Sequence, residues 1–274
     1  MILGGVGMRF RVSFRRSGAT RPGTEQDRDR AFRTSQSIDR KNSHANLVSL
    51  TSALGLVVLA TTVASVVLST RPAAAETTLS FYLGANASPD SIVNYDLNLG
   101  GGPQSTSVAW DGETFEMPPY FGLRATWWLD SHPNWGLAID NVHAKVAASP
   151  MPAGFTTLEF TDGVNMVTGN LHYRHMNDSP FTPYAGFGIG FTTPHVEVTN
   201  IAGTSNTFRY QFGGPAAQVF VGLESEINDR WSVFGELKFA KFWIDADLDG
   251  GGSLSTDIFS RQIAVGVSYS IGRR

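Results

Sequence analysis

The sequence contains no cysteine. That excludes disulfides, thiolate metal sites and cysteine nucleophiles. After position 76 it also lacks any sustained helical period, and basic residues are sparse. Residues 1–46 hold ten Lys/Arg against four Asp/Glu, whereas residues 76–274 hold ten against twenty, so that part is about −10. An acidic chain with no basic patch is not a nucleic-acid binder. What is abundant is glycine, 29 residues, and aromatic side chains, 11% of the chain. Both suit an all-β protein with many turns.

The start reads differently from the rest. Residues 47–70, LVSLTSALGLVVLATTVASVVLST, carry no charge and are followed by Arg71-Pro72-Ala73-Ala74-Ala75-Glu76. A basic lead, an apolar run and a small-residue Ala-x-Ala site form an export signal. A retained membrane anchor is the rival reading, because the run is long enough to span a bilayer. Cleavage after Ala75 would divide the chain into a 1–75 leader and a 76–274 mature domain.

The mature part supplies eight segments in which apolar residues alternate: 77–87, 118–129, 135–145, 156–174, 183–193, 207–226, 231–242 and 258–271. Transmembrane strands need about ten residues each with an apolar outer face. Short turns at 130–134, 175–181 and 227–230 alternate with long connections at 88–117, 146–155, 194–206 and 243–257. This predicts an eight-stranded antiparallel up-and-down transmembrane β-barrel in a Gram-negative outer membrane, acting as a monomer. Trp127, Trp128, Trp135, Tyr173, Tyr184, Trp231 and Tyr269 gather near strand ends beside the short turns, as an interfacial girdle would. Arg124, Asp140, His172, Arg174, Glu224, Glu236, Lys238 and Arg261 are predicted to face inward. Eight strands leave no open lumen, so these charges must pair within it.

Three local features bear on chemistry. Gly186, Gly188 and Gly190 alternate in a strand with no helix after them, so they make no dinucleotide loop; they give room to a bulky neighbour or tighten curvature, the alternative being a groove open to a ligand. Asp162-Gly163 interrupts the fourth segment and is read as a bulge. Asp245, Asp247 and Asp249 precede three glycines in a D-x-D-x-D-G spacing that suits a hard cation, although Thr256 stands where an EF-hand needs Glu. An acidic surface loop is the plainer alternative.

The outer strand ends should gather His143, Lys145, Glu159, Asp162, His195, Glu197, Arg209, Gln211 and Lys241. His143, Glu159, Asp162, His195 and Glu197 are the candidate catalytic set, able to relay protons or to hold a divalent metal. Lys145 and Arg209 are candidates for an anionic headgroup. A solvated polar rim with no chemistry is the alternative.

The segments PPYFGLRATWW (118–128), HAKV (143–146), LEFTDGVN (158–165), TPYAGFGIGF (182–191), PHVEV (194–198), GGPAAQ (213–218), NDRWSVFGELK (228–238) and DLDGGGSLSTDI (247–258) resemble the lipid A oxidase family, outer-membrane barrels of rhizobia and related α-proteobacteria. The resemblance covers nearly all of 76–274. It implies oxygen-dependent oxidation of the proximal glucosamine of lipid A to 2-aminogluconate, with release of hydrogen peroxide, and hence an outer-leaflet lipid partner. It transfers no catalytic residue. A non-catalytic barrel serving adhesion or envelope stability is the competing expectation.

Overall fold

The computed structural model describes residues 76–114, 116–203 and 206–272. The export signal and the 1–75 boundary lie outside them. The described residues form thirteen strands and no helix: β1 Thr77–Asp96, β2 Gln104–Asp111, β3 Phe121–Leu129, β4 His132–His143, β5 Val146–Ala148, β6 Phe155–Phe160, β7 Met166–Arg174, β8 Phe181–Thr192, β9 His195–Asn200, β10 Asn206–Tyr210, β11 Gly214–Glu226, β12 Trp231–Leu248 and β13 Gly252–Ile271.

Eight of these close on themselves. The order is β1-β13-β12-β11-β8-β7-β4-β3, and β3 returns to β1 through seven registered pairs from Thr77↔Trp127 to Leu83↔Phe121. All neighbours are antiparallel. This is the predicted up-and-down barrel. Its outer wall exposes Leu137, Ile139, Phe187, Ile189, Val219, Val221, Leu237 and Ile263. In a closed sheet this apolar wall faces hydrocarbon, and every strand finds two partners.

The lumen is polar. Arg124 Nη1 and Nη2 donate to Glu236 at 2.8 Å each, and Nη2 also reaches Asp140 at 3.1 Å. Lys238 Nζ donates to Asp140 at 2.8 Å and to the Tyr82 hydroxyl at 2.8 Å. Gln218 links this knot to Asn170 at 2.6 Å. Two cations against two carboxylates make a neutral plug. The alternating glycines sit on this inner face. A Cβ at Gly186 would strike the Phe220 ring, and one at Gly188 would strike the Asn170 amide, so their absence makes room for the plug.

Three inward or outward assignments need correction. Arg261 is exposed on the lipid side, because Ser260 and Gln262 occupy the buried face of β13. Trp128 and Tyr184 turn inward. The Trp128 indole donates to Thr78 under the Arg174 guanidinium, which lies 3.8 Å from its ring centroid, and Tyr184 donates to Glu236. The outward-facing girdle beside the short turns is therefore Trp127, Trp135–Tyr173 and Trp231–Tyr269, the last two being touching ring pairs at 4.8 and 5.0 Å.

The largest difference lies in the connections. They are strands, not irregular loops. Above the membrane the order becomes β1-β2-β5-β6-β9-β10, while β12 and β13 continue beside β1. Side chains of β10 and the segment after it complete the ring against β12, with Gln211 bonding both the amide and the carbonyl of Asp247. The predicted fourth segment thus divides into β6 and β7, with no bulge, and the sixth into β10 and β11. In this outer storey the pattern inverts. Val93, Val108, Val146, Leu158, Phe160, Val196, Val198 and Ile244 fill the inside, all at most 2% exposed. Water outside and no hydrocarbon require an ordinary apolar core there.

A seam at the outer membrane boundary

β1, β12 and β13 pass through both storeys unbroken for 20, 18 and 20 residues. The other five staves break at one level, at residues 112–120, 144–145, 161–165, 193–194 and 211–213. Local sequence explains the breaks. Pro118, Pro119 and Pro194 cannot donate to a ladder, and Gly163 (φ +86°) and Asn165 (φ +47°) adopt left-handed backbone. The freed backbone groups pair across the gap: Val164 N with Ala144 O at 2.8 Å, Thr193 N with Asn165 O at 3.0 Å, His195 N with Gly163 O at 3.1 Å, and Gln211 N with Pro194 O at 3.1 Å. The seam is a built feature, with its hydrogen bonds satisfied.

Most of the predicted rim residues collect here, on the outside of the outer storey. Glu159 and Glu197 alternate with the buried Leu158, Phe160, Val196 and Val198, so they take the opposite face. They are direct cross-strand partners of β6 and β9. Burial, reinforced by the neighbouring Glu197 and Glu113 carboxylates, pushes the Glu159 carboxyl up to about 7. Glu159 is therefore about half-protonated near neutrality. Thr161 donates to Glu197 at 3.1 Å.

His195 lies next to this pair on β9. Its ring meets Phe208 and Tyr210 edge-on at 4.4 and 4.8 Å and is fully buried. Neither ring nitrogen has a hydrogen-bond partner among the described residues, and Asp162 stands 3.9 Å from Nδ1. Burial holds the imidazole below its ordinary range, with Asp162 and Glu197 opposing. His143 stacks on Phe121 at 5.0 Å, and its Nδ1 meets Asn165 Oδ1 at 3.0 Å. Gly163 links the two histidines. Its carbonyl accepts from His195 N, and a Cβ on it would fall 2.4 Å from His143 Nδ1.

Other candidates are engaged elsewhere. Lys145 is buried against Glu113 at 3.3 Å and donates to the Met117 carbonyl at 3.4 Å. Arg209 pairs with Asp249 and with the Asp247 carbonyl on the far edge of β10, away from the imidazoles. Asp245 and Asp247 extend along the outer face of β12, which continues as strand through Leu248, so the predicted acidic turn begins only at Asp249. Among the described residues no three His, Asp or Glu side chains converge to hold a metal ion. Neither the D-x-D-x-D run nor the histidine set has the geometry expected of a cation site. Glu113, Thr161, Asn165 and Tyr210 complete the seam. None of these four is marked by the sequence pattern; the nearest turn signal is Asp162-Gly163, which ends two residues before Asn165.

The arrangement is thus an acid–base cluster, with a neutral buried imidazole beside two adjacent carboxyls of which Glu159 titrates near neutrality, held on the flank of a closed membrane barrel. Residues 60–270 match the outer membrane protein beta-barrel domain family, and the chain belongs to it. The protein is a Gram-negative outer-membrane barrel. No curated protein matches it in sequence. Among solved structures it is similar to outer membrane protein AlkL in lipid bilayers (16% identity, TM-score 0.46, covering 74% of this chain and 96% of that one). It is also similar to Neisserial surface protein A (10%, 0.40, 71% and 96%) and to the attachment invasion locus protein Ail of Yersinia pestis (12%, 0.36, 73% and 100%).

Proposed function

We propose that the seam receives the headgroup of lipid A from the outer leaflet, and that the protein, as a single chain, oxidises the proximal glucosamine to 2-aminogluconate with oxygen. The observation that carries this reading is a coincidence of position. Three of the segments that resemble lipid A oxidases, 143–146, 158–165 and 194–198, supply the seam's histidines, carboxylates and glycine. That flank stands just above the apolar wall, where a lipid headgroup arrives by lateral diffusion.

The reaction removes the C1 hydrogen and the C1 hydroxyl proton of the ring-closed sugar. Two electrons pass to oxygen, giving a lactone and hydrogen peroxide, and water then opens the lactone to the acid. His195, neutral and without a hydrogen-bond partner among the described residues, suits acceptance of the hydroxyl proton. Glu159, which titrates near neutrality beside the Glu197 carboxylate, suits onward proton exchange with water. The divalent metal expected from the sequence does not fit the seam, so no step is assigned to one.

Lipid A is extracted from a strain lacking the protein and from strains restored with the wild type or with His195→Ala. The reading requires one added oxygen on the proximal sugar with the wild type and its loss with His195→Ala at equal barrel abundance. Unmodified lipid A in all three supports the second reading, a non-catalytic surface or envelope-stability barrel. That reading draws on the prior pairing of Lys145 and Arg209, which leaves the seam without a free cation of its own for a phosphate. On either reading we take 1–75 as the leader, and N-terminal sequencing of protein recovered from outer membranes should begin at Glu76.

A further inference from the structure

Arg261 carries no hydrogen bond, ion pair or ring contact among the described residues, yet it is exposed on the lipid-facing side of β13. Its cross-strand partners are Ala87 and Phe239, and Ile263 and Val265 follow it down the same face. An arginine on this wall is unfavourable unless its guanidinium extends to an anionic group at the membrane boundary. Lys241 lies diagonally across on β12, opposite Phe259, and pairs with Asp257 at 3.1 Å beside Trp243. Asp257 neutralises Lys241, and Asp90 and Asp245 line the cleft around that pair, so Arg261 is the one cation here with no carboxylate bound to it.

Below it the wall is dented. Gly235, the partner of Val265, faces outward, and a Cβ placed there would meet nothing within 4 Å. The dent forms an apolar trough of about 760 Å³ lined by Phe81, Leu83, Leu223, Val233, Val265 and Val267 among others. Val265 is four residues from Arg261, roughly 13 Å along the strand. A phosphate at the guanidinium therefore leaves its acyl chain beside the trough.

We infer that the three unbroken strands carry a binding site for one phosphorylated glycolipid of the outer leaflet, its phosphate held by Arg261 and one acyl chain lying in the Gly235 trough. The fork of guanidinium donors matches a phosphate monoester, and no other free cation stands on this face among the described residues. The site lies mainly on β12, β13 and β1, which the seam does not interrupt, and takes Leu223 from β11 well below the break at 211–213, so it does not depend on the proposed oxidation.

The test is native mass spectrometry of the folded protein in detergent, titrated with bisphosphorylated lipid A and with the same lipid after dephosphorylation. Wild type, Arg261→Gln, Gly235→Leu and His195→Ala are compared. Loss of one charge-assisted contact predicts about tenfold weaker retention of the phosphorylated lipid by Arg261→Gln. Dephosphorylated lipid should bind the wild type equally weakly. Gly235→Leu, which fills open space, should weaken both lipids. The Arg261 effect must persist in the His195→Ala background, which separates this site from any lipid held at the seam. Equal retention of the two lipids by the wild type, a measurement that needs no variant to fold, overturns the proposal. So does an Arg261→Gln protein that binds like the wild type.

Discussion

Replacing Arg124 with methionine should destabilise the barrel by about 3–5 kcal/mol, the cost of breaking a buried ion pair from one side. Arg124 is 4% exposed and makes three charge-assisted hydrogen bonds, two to Glu236 and one to Asp140. Such bonds are worth about 1.5–3 kcal/mol each, so their plain sum would exceed the prediction. Two groups limit the loss. Lys238 already contacts Asp140 at 2.8 Å and Glu236 at 3.6 Å, and the Tyr184 hydroxyl donates to Glu236 at 3.0 Å. What the variant cannot avoid is a net negative charge in a closed lumen. A second change, Glu236→Gln, removes that charge and should restore about half of the loss, whereas in the wild-type background the same change should be destabilising. The assay is urea unfolding of the protein in lipid vesicles, followed by tryptophan fluorescence and extrapolated to water. The reasoning fails if Arg124→Met lies within about 1 kcal/mol of wild type, or if the double variant is less stable than the single one.

The remaining expectations concern the outer storey. The Glu159 carboxyl has a folded pKa of about 7 against an ordinary 4.5, so the native state holds more protons than the unfolded state between those values. Stability from this group is complete below about 4.5 and is lost as pH rises through 7; Glu159→Gln should flatten the unfolding midpoint across that window. Gly163→Ala forces a side chain into left-handed backbone and against His143, and should cost at least about 1 kcal/mol in the same urea assay. Treating the purified protein in detergent with a chelator should leave its melting temperature unchanged, because Asp249 is already paired with Arg209 and Asp245 and Asp247 lie along a strand. A chelator-dependent drop would restore a cation site to that hairpin.

The membrane storey was legible because its physics is monotonous. Hydrocarbon outside and a narrow lumen inside impose strict alternation, and Leu137-Ala138-Ile139-Asp140 on β4 displays it in four residues. Arg261 departs from the rule that charges turn inward; the alternation of its own strand, with Ile263 and Val265 outward, places it outside. The outer storey was not legible as strands. Its segments are short, as in the three residues of β5, and their pairing is set by distant partners such as Trp110↔Ala148. The candidate site was half legible. Spacing two apart put His195 and Glu197 on one face, but sequence offered no sign that Lys145 would be taken by Glu113, a residue from the longest predicted loop.

The reversal of wettability between the two storeys has a practical consequence. Surface segments of small barrels are usually treated as free real estate for peptide display, yet here most of the extracellular chain is scaffold around a greasy interior. Cargo spliced into 104–111 or 155–160 would separate Val108, Trp110, Leu158 and Phe160 from one another and unravel that half. The tolerant grafting points are the hairpin tips at 99–102, 201–203 and 250–251, where glycines with positive φ turn the chain. Tags placed there should leave the seam, and whatever it does to a passing lipid, untouched.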